Sequence, residues 1–257
     1  MTRRRWIADE FSTDRAALIG AHAAHLARTL RARVGQEFEV TCGDRVRRAT
    51  VASVSDDRVE FSLGEEVAAG AVVPITLLLA IFRFDRMEWA IEKCTELNVT
   101  AIIPVVARRT EKHLALAAAK RVERWRRIAR EAAEQSRRTS PPEIREPLKL
   151  REAVEILHNA VIPPQGFSPS GGSCGYHQQE LHVVLAENER ETTLSEVLRT
   201  HGEAKSLALA VGPEGGWIAD ELQLFAQSQW IAASLGDTIL RAETAAVAAL
   251  AIARVQV

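Results

Sequence analysis

The pattern of apolar positions along this chain changes near Pro74, from a helical stretch and several short strands to strands alternating with helices. Before it, "EFEV", "RRATVASV" and "RVEFSL" are short runs rich in Val and Phe. The turn residues Cys42-Gly43-Asp44 and Ser55-Asp56-Asp57 separate them, which predicts strands within 36–63. The preceding "DRAALIGAHAAHLARTLRAR" has the spacing of a helix, or of helical turns, ending near Gly35. Several short strands in about 70 residues suggest a small barrel-like module, and "GEEVAAGAVVP" reads as its boundary.

Beyond Pro74, strands alternate with helices. "ITLLLAIF" and "AIIPVV" are apolar strands; between them "DRMEWAIEKCTELNV" places Met87, Ala90, Ile91, Cys94 and Leu97 at helical spacing. A long charged helix is predicted from about Ala117 to Arg137, and "REAVEIL" follows. The Gly, Pro and Ser of "VIPPQGFSPSGGSCGYHQQ" make 162–176 a loop without evident chemistry. After it come the strand "LHVVLAE", a helix near "LSEVLRTH", the strand "SLALAV", a helix from about Asp220, the strand "IAASLG" and an Ala-rich closing helix. Such alternation implies a mostly parallel sheet covered on both faces. The expected domains are 1–72 and 73–257.

Composition narrows the class. With 47% hydrophobic and 26% charged residues the chain is an ordinary globular one. No apolar run approaches the roughly 20 residues of a bilayer span, and "MTRRRWIADEF" has no apolar core for a secretory signal. Three cysteines (Cys42, Cys94, Cys174) without CxxC spacing argue for a reducing, cytoplasmic setting and against disulfides or zinc. His22 and His25 stand at i,i+3 but lack a third ligand, so no metal is expected.

The net charge of -1 hides an asymmetry: between Arg108 and Arg151 there are 14 Lys and Arg against 6 Asp and Glu. That segment is either a footprint for nucleic acid or a solvated face with i,i+4 pairs such as Glu123 with Arg127.

Candidate chemistry lies at two strand ends. "VGPEGGW" interrupts an apolar strand, where open α/β sheets hold ligands. It lacks the Lys and Ser/Thr of a phosphate loop, and Glu214 within it would repel phosphate. A neutral or cationic ligand rich in hydroxyl and amine donors fits better, and S-adenosylmethionine has that character. The alternative is a structural turn whose glycines supply positive φ; the loop by itself leaves both open. "SLGDTILRAETAAVAALAIARV" then sets Arg241 and Glu243 beside an apolar loop at the next strand end, with Thr244 as a simple N-cap and the charges as structural partners in the alternative reading.

Together, "VGPEGGW", "LGDTILRAETA", "DRMEWAIEKCTELNVTAIIPV" and "RWRRIAREAAEQSRRTSPPEI" resemble the ordered motifs of the SPOUT-class 16S rRNA (uracil-N3) methyltransferases, and "HAAHLARTLRARVGQEFEV" is similar to that family's N-terminal domain. The resemblance implies an α/β fold: a SPOUT-type parallel-sheet domain with a C-terminal trefoil knot, preceded by a PUA-like barrel. It further implies a homodimer that takes methyl from S-adenosylmethionine to a uracil N3 of 16S rRNA in the small ribosomal subunit or its late precursor. Carried over, the cofactor loops are Gly212, Pro213, Glu214, Gly215, Gly216, Leu235, Gly236, Ile239 and Leu240, with Leu185 in the same pocket. Arg241 would stabilise the deprotonated uracil and Glu243 could take its proton, with water as the alternative. Arg3, Arg4, Arg5, Arg45, Arg47 and Arg48 are candidates for RNA phosphate. Arg109, Glu134, Gln135 and Arg138 are candidates for RNA or active-site contacts across the dimer. Ile218 stands where the family has a Ser or Thr cap, so either Asp220 caps the helix or the helix begins later. Alternative readings are a related enzyme on another RNA site and a non-catalytic RNA-binding assembly factor.

Overall fold

The computed structural model describes residues 5–43, 45–67, 73–136, 138–159 and 180–256. Arg3, Arg4 and the loop at 162–176 lie outside these. Two compact units are present, one of 1–71 with 130–141 and the other of 72–129 with 142–257. Residues 130–141, expected in the second domain, thus group with the first.

The first unit is built on a six-stranded sheet. Its elements are β1 (Arg5–Ile7), β2 (Glu10–Phe11), β3 (Arg15–Ile19), the short helix α1 (Ala21–Ala24) continued by a π-turn to Thr29, β4 (Glu37–Cys42), β5 (Arg45–Val54) and β6 (Arg58–Val67). The order is β1-β4-β5-β6-β3-β2, with β1 parallel to β4 and the other pairs antiparallel. Helical spacing misreads "RAALI": β3 is extended because Ala16 pairs with Phe61 and Leu18 with Val59 on β6. Cross-strand packing has overridden local propensity, and Gly20 at φ 59° turns the chain into α1. Trp6, Leu18, Leu26, Phe38, Val40 and Phe61 fill the core.

In the second unit the order is β7 (Ile75–Ala80), α2 (Phe84–Glu96), β8 (Ala101–Val106), α3 (Lys112–Ala117), α4 (Val122–Gln135), β9 (Glu143–Ile144), β10 (Leu148–Lys149) and α5 (Leu150–Asn159). There follow β11 (Glu180–Leu185), α6 (Leu194–Thr200), β12 (Ser206–Val211), α7 (Ala219–Gln227), β13 (Ile231–Ala233) and α8 (Ala242–Gln256). A 3-10 turn over Ala118–Arg121 divides the expected long charged helix into α3 and α4, whose last residues, from Arg130, belong to the first unit. Every strand pair is parallel, in the order β10-β8-β7-β12-β11-β13, with β9 also on β8.

Period-two alternation sorts these strands onto two faces. Ile75, Leu77, Leu79, Val183, Leu207 and Leu209 pack under Met87 and Ile91 of α2, Leu198 of α6 and Leu250 of α8. The intervening Leu78, Ala80, Ala208 and Ala210 meet Val154 of α5, Phe225 of α7, Trp217 and Trp230. Alanines on β12 leave room for that aromatic group, in which Trp217 and Phe225 stand edge to face with centroids 5.1 Å apart. Small residues also let α8 lie close: Ala242, Ala246, Ala249 and Ala253 are buried along one stripe. Arg254 on the same helix donates to the carbonyls of Val73 (2.7 Å), Leu97 (3.0 Å) and Asn98.

Among the described residues no helix is long and apolar enough to cross a membrane. Nor does any group of three or more His, Cys, Asp or Glu among them suit a metal.

Candidate cofactor and active site

β11 lies between β12 and β13 and is parallel to both, so their carboxyl ends, Leu185, Val211 and Ala233, stand side by side. The loops that leave these ends enclose a cavity of about 910 Å³. They are tied to each other by backbone bonds from Ser234 N–H to Thr192 and from Leu194 N–H to Ser234, each 2.9 Å. On one side α6 begins in a capping box: Glu196 N–H bonds the Thr193 hydroxyl at 3.3 Å, and Thr193 N–H bonds the Glu196 carboxylate at 2.9 Å.

The glycine loop is shaped by what approaches it. A Cβ on Gly212 would stand 3.3 Å from the Trp217 indole, which folds back beneath the loop into the aromatic group. Gly216 has φ +70°, and a Cβ there would meet the Glu187 carboxylate at 3.4 Å. Pro213 accepts the turn's closing bond from Gly216 N–H at 2.8 Å. The loop therefore presents backbone, not side chains, to the cavity.

Helix α7 starts at Ala219 with Ile218 as its N-cap, so Asp220 does not cap it. Ile218 offers no acceptor; half of a capping box remains, in which the Glu221 carboxylate accepts Ile218 N–H at 3.0 Å. Its other oxygen accepts Arg108 N–H at 2.8 Å. Thr244 likewise is no N-cap, because α8 already begins at Ala242.

Leu185, Gly212, Pro213, Gly215, Gly216, Leu235, Gly236, Ile239 and Leu240 come together on the cavity wall. Glu214 is exposed and is not among the lining residues. The carboxylate over the loop belongs instead to Glu187, the first charged residue after β11. In the sequence it is one of three glutamates within five residues, Glu187, Glu189 and Glu191, and nothing there sets it apart. Arg109, expected among RNA or cross-dimer contacts, also lines this cavity and donates a guanidinium N–H to the Gly215 carbonyl.

Arg241 and Glu243 do not line the cavity. Arg241 is exposed immediately before α8, whereas Glu243 is 8% exposed and faces Arg86 of α2 at 3.7 Å. A carboxylate buried against a cation is poorly placed to take a proton from a large substrate.

In the first unit, Arg5 pairs with Glu39 at 2.9 Å, Arg45 with Glu66 at 3.5 Å and Arg48 with Glu65 at 3.2 Å. Arg47 donates to the carbonyls of Gly64 and Thr13 at 2.8 and 2.6 Å. Glu134 is fully buried beside Arg130, whereas Gln135 is exposed and Arg138 partly so. On α4, Glu123 pairs with Arg126 and not with Arg127, while Arg124 forks onto Glu88 of α2 at 2.7 and 2.8 Å.

A parallel sheet whose adjoining strand ends build a backbone-walled cavity is the arrangement of a nucleotide-cofactor domain. The family model of the RNA methyltransferase domain matches residues 70–254, and the chain belongs to this family. It is similar to the ribosomal RNA small subunit methyltransferase E of Synechocystis, 31% identical over 235 residues covering 91% of this chain and 71% of the relative. Similarity to the Bacillus subtilis protein of the same name is 28% over 240 residues, covering 91% and 87%. Among solved structures, ribosomal RNA small subunit methyltransferase E from Neisseria gonorrhoeae bound to S-adenosyl methionine superimposes with a TM-score of 0.78. That match is 28% identical and covers 96% of this chain and 95% of the other.

Proposed function

We propose that this chain uses S-adenosylmethionine to methylate N3 of a uracil in small-subunit ribosomal RNA, acting as a cytoplasmic homodimer. The observation that carries the reading is the cavity at the ends of β11, β12 and β13, about 910 Å³, where the glycine loop and Leu185, Leu235 and Leu240 share the wall with charged side chains, Arg109 and Glu187 among them. Its size falls within the usual range for small-molecule sites. Lys and Ser/Thr are absent after the glycines, and a carboxylate stands over them, so the donor set suits an adenosine with a cationic tail better than a phosphate. S-adenosylmethionine supplies an activated methyl group on a sulfonium leaving group. The named relatives and the solved structure with that cofactor support the same reading.

The chain's own residues then divide the work. Backbone groups of 212–216 and 235–240, with the side chains of Leu185, Leu235 and Leu240 on the same wall, would hold the adenosine. Arg241, exposed at the start of α8, takes a uracil carbonyl oxygen and favours the ring that has lost its N3 proton. Glu243 is better suited to hold α8 against Arg86 than to accept that proton, which passes to water. Arg5, Arg45, Arg47 and Arg48 on the first unit, a PUA-like module in this reading, supply phosphate contacts. A trefoil knot formed by the C-terminal loops, with the partner protomer beside it, completes the arrangement.

Deleting the gene and extending a primer across small-subunit RNA tests the assignment. N3 methylation blocks pairing and stops reverse transcriptase; the reading predicts a stop that vanishes on deletion and returns with the gene. An unchanged pattern of stops would refute it.

A further inference from the structure

Two side chains from distant parts of the sequence flank consecutive glycines on the cavity wall. A Cβ on Gly215 would lie 3.0 Å from the Arg109 side chain, and one on Gly216 would lie 3.4 Å from a Glu187 carboxylate oxygen. Both residues are exposed and line the cavity. Among the described residues neither takes part in an ion pair, and Glu187 accepts no hydrogen bond. Arg109 is anchored by one N–H on the Gly215 carbonyl, which leaves four of the five donors of its guanidinium.

The other carboxylates of the wall differ. Glu189 accepts the N–H groups of Glu191 and Thr192 at 2.8 and 3.0 Å, bonds that hold its carboxyl below the usual range. Asp237 belongs to the loop after β13, not to the glycine loop.

We propose that Arg109 and Glu187 form a receptor for the amino-acid end of S-adenosylmethionine, the guanidinium taking its carboxylate and Glu187 its ammonium. An α-amino acid carries those charges one carbon apart, so it suits a cation and an anion that flank consecutive residues of one loop, neither of them in an ion pair. Glycine at 215 and 216 is what lets both side chains lie against the loop. Arg109 thereby moves from the RNA contacts to the cofactor site. The inference rests on the reading of the cavity as an S-adenosylmethionine site.

Titration calorimetry on the full chain tests it with two ligands, S-adenosylhomocysteine and 5′-methylthioadenosine. Both are neutral thioethers on the same adenosine, but only the first has the amino-acid end. Arg109→Met and Glu187→Gln should each weaken S-adenosylhomocysteine roughly ten-fold or more, as expected for a lost charge-assisted bond, and leave 5′-methylthioadenosine unchanged. Unchanged S-adenosylhomocysteine binding would overturn the proposal. So would an equal loss for both ligands, which would put Glu187 on the ribose. Failure of the unsubstituted protein to bind either ligand would remove the cavity's assignment and the proposal together; normal binding with unaffected variants removes the proposal alone.

Discussion

The carboxylate of Glu221 bonds the backbone N–H of Arg108, 113 residues away in the sequence, at 2.8 Å. The same side chain closes the first turn of α7 through Ile218 N–H at 3.0 Å, and the residue is 6% exposed. One buried anion thus joins the loop after β8 to the helix that follows the glycine loop, and it sits where a helix N-terminus favours negative charge. Because Arg109 is the next residue, this bond also sets where the Arg109 side chain starts.

Replacing Glu221 with Ala should therefore do two things. Losing two charge-assisted bonds and leaving two backbone N–H groups without their partner should cost about 2–4 kcal/mol in a denaturant titration. Affinity for S-adenosylhomocysteine should fall as well, since the Arg108–Arg109 segment loses its tether. A variant with unchanged stability would show that the bond contributes nothing.

Gly216→Ala tests the loop's backbone. Its φ of +70° is left-handed, and the new Cβ would touch the Glu187 carboxylate at 3.4 Å. We expect about 1–2 kcal/mol of destabilisation from the backbone alone, read as a lower Tm, with weaker ligand binding if the loop shifts to relieve the strain and carries its contact with Glu187 along. Full affinity in a stable variant would mean that Glu187 does not need its present position.

Arg254 caps the carbonyls of Leu97 and Asn98 at the end of α2 and that of Val73 before β7. Burial lowers its pKa from the ordinary arginine value, but the guanidinium stays charged and keeps all three acceptors satisfied. Arg254→Met leaves those carbonyls without their donor and should cost about 2–4 kcal/mol. Arg254→Lys should recover only part of this, because an ammonium lacks the planar fork. Equal stability of the three proteins would contradict the role.

Cys94 is fully buried on α2, and burial pushes its thiol up to about 12. Alkylation needs the thiolate, whose fraction stays very small well below that value. Peptide-level mass spectrometry should find Cys94 unmodified by iodoacetamide at pH 8 in the native protein and fully modified after denaturation. Rapid native labelling would contradict the packing of α2 on the sheet.

The parallel sheet was legible because its strands are buried on both faces, so "ITLLLA", "AIIPVV" and "SLALAV" appear as unbroken apolar runs. Residues Arg15–Ile19 were not, because Ala-Ala-Leu favours a helix until β6 supplies a partner. The cavity's glycines could be read from the chain, since strand ends and glycine mark each other. Glu187 could not be singled out among Glu187, Glu189 and Glu191, whose different duties follow from which backbone N–H groups lie near each one. Nor could the burial of Glu243, which depends on where Arg86 of α2 arrives in three dimensions; Arg130 and Glu134 are one turn apart on α4, a pairing the spacing allows, but that spacing does not foretell the burial of Glu134.

Methyl transfer to uracil N3 is followed best through the methyl group itself. The purified protein is incubated with methyl-labelled S-adenosylmethionine and small ribosomal subunits from a strain lacking the gene, and the RNA is digested to nucleosides. The account predicts label in 3-methyluridine, lost with Arg241→Ala while cofactor binding persists. Label in a different nucleoside, or none in subunits that the intact protein has met, would contradict it.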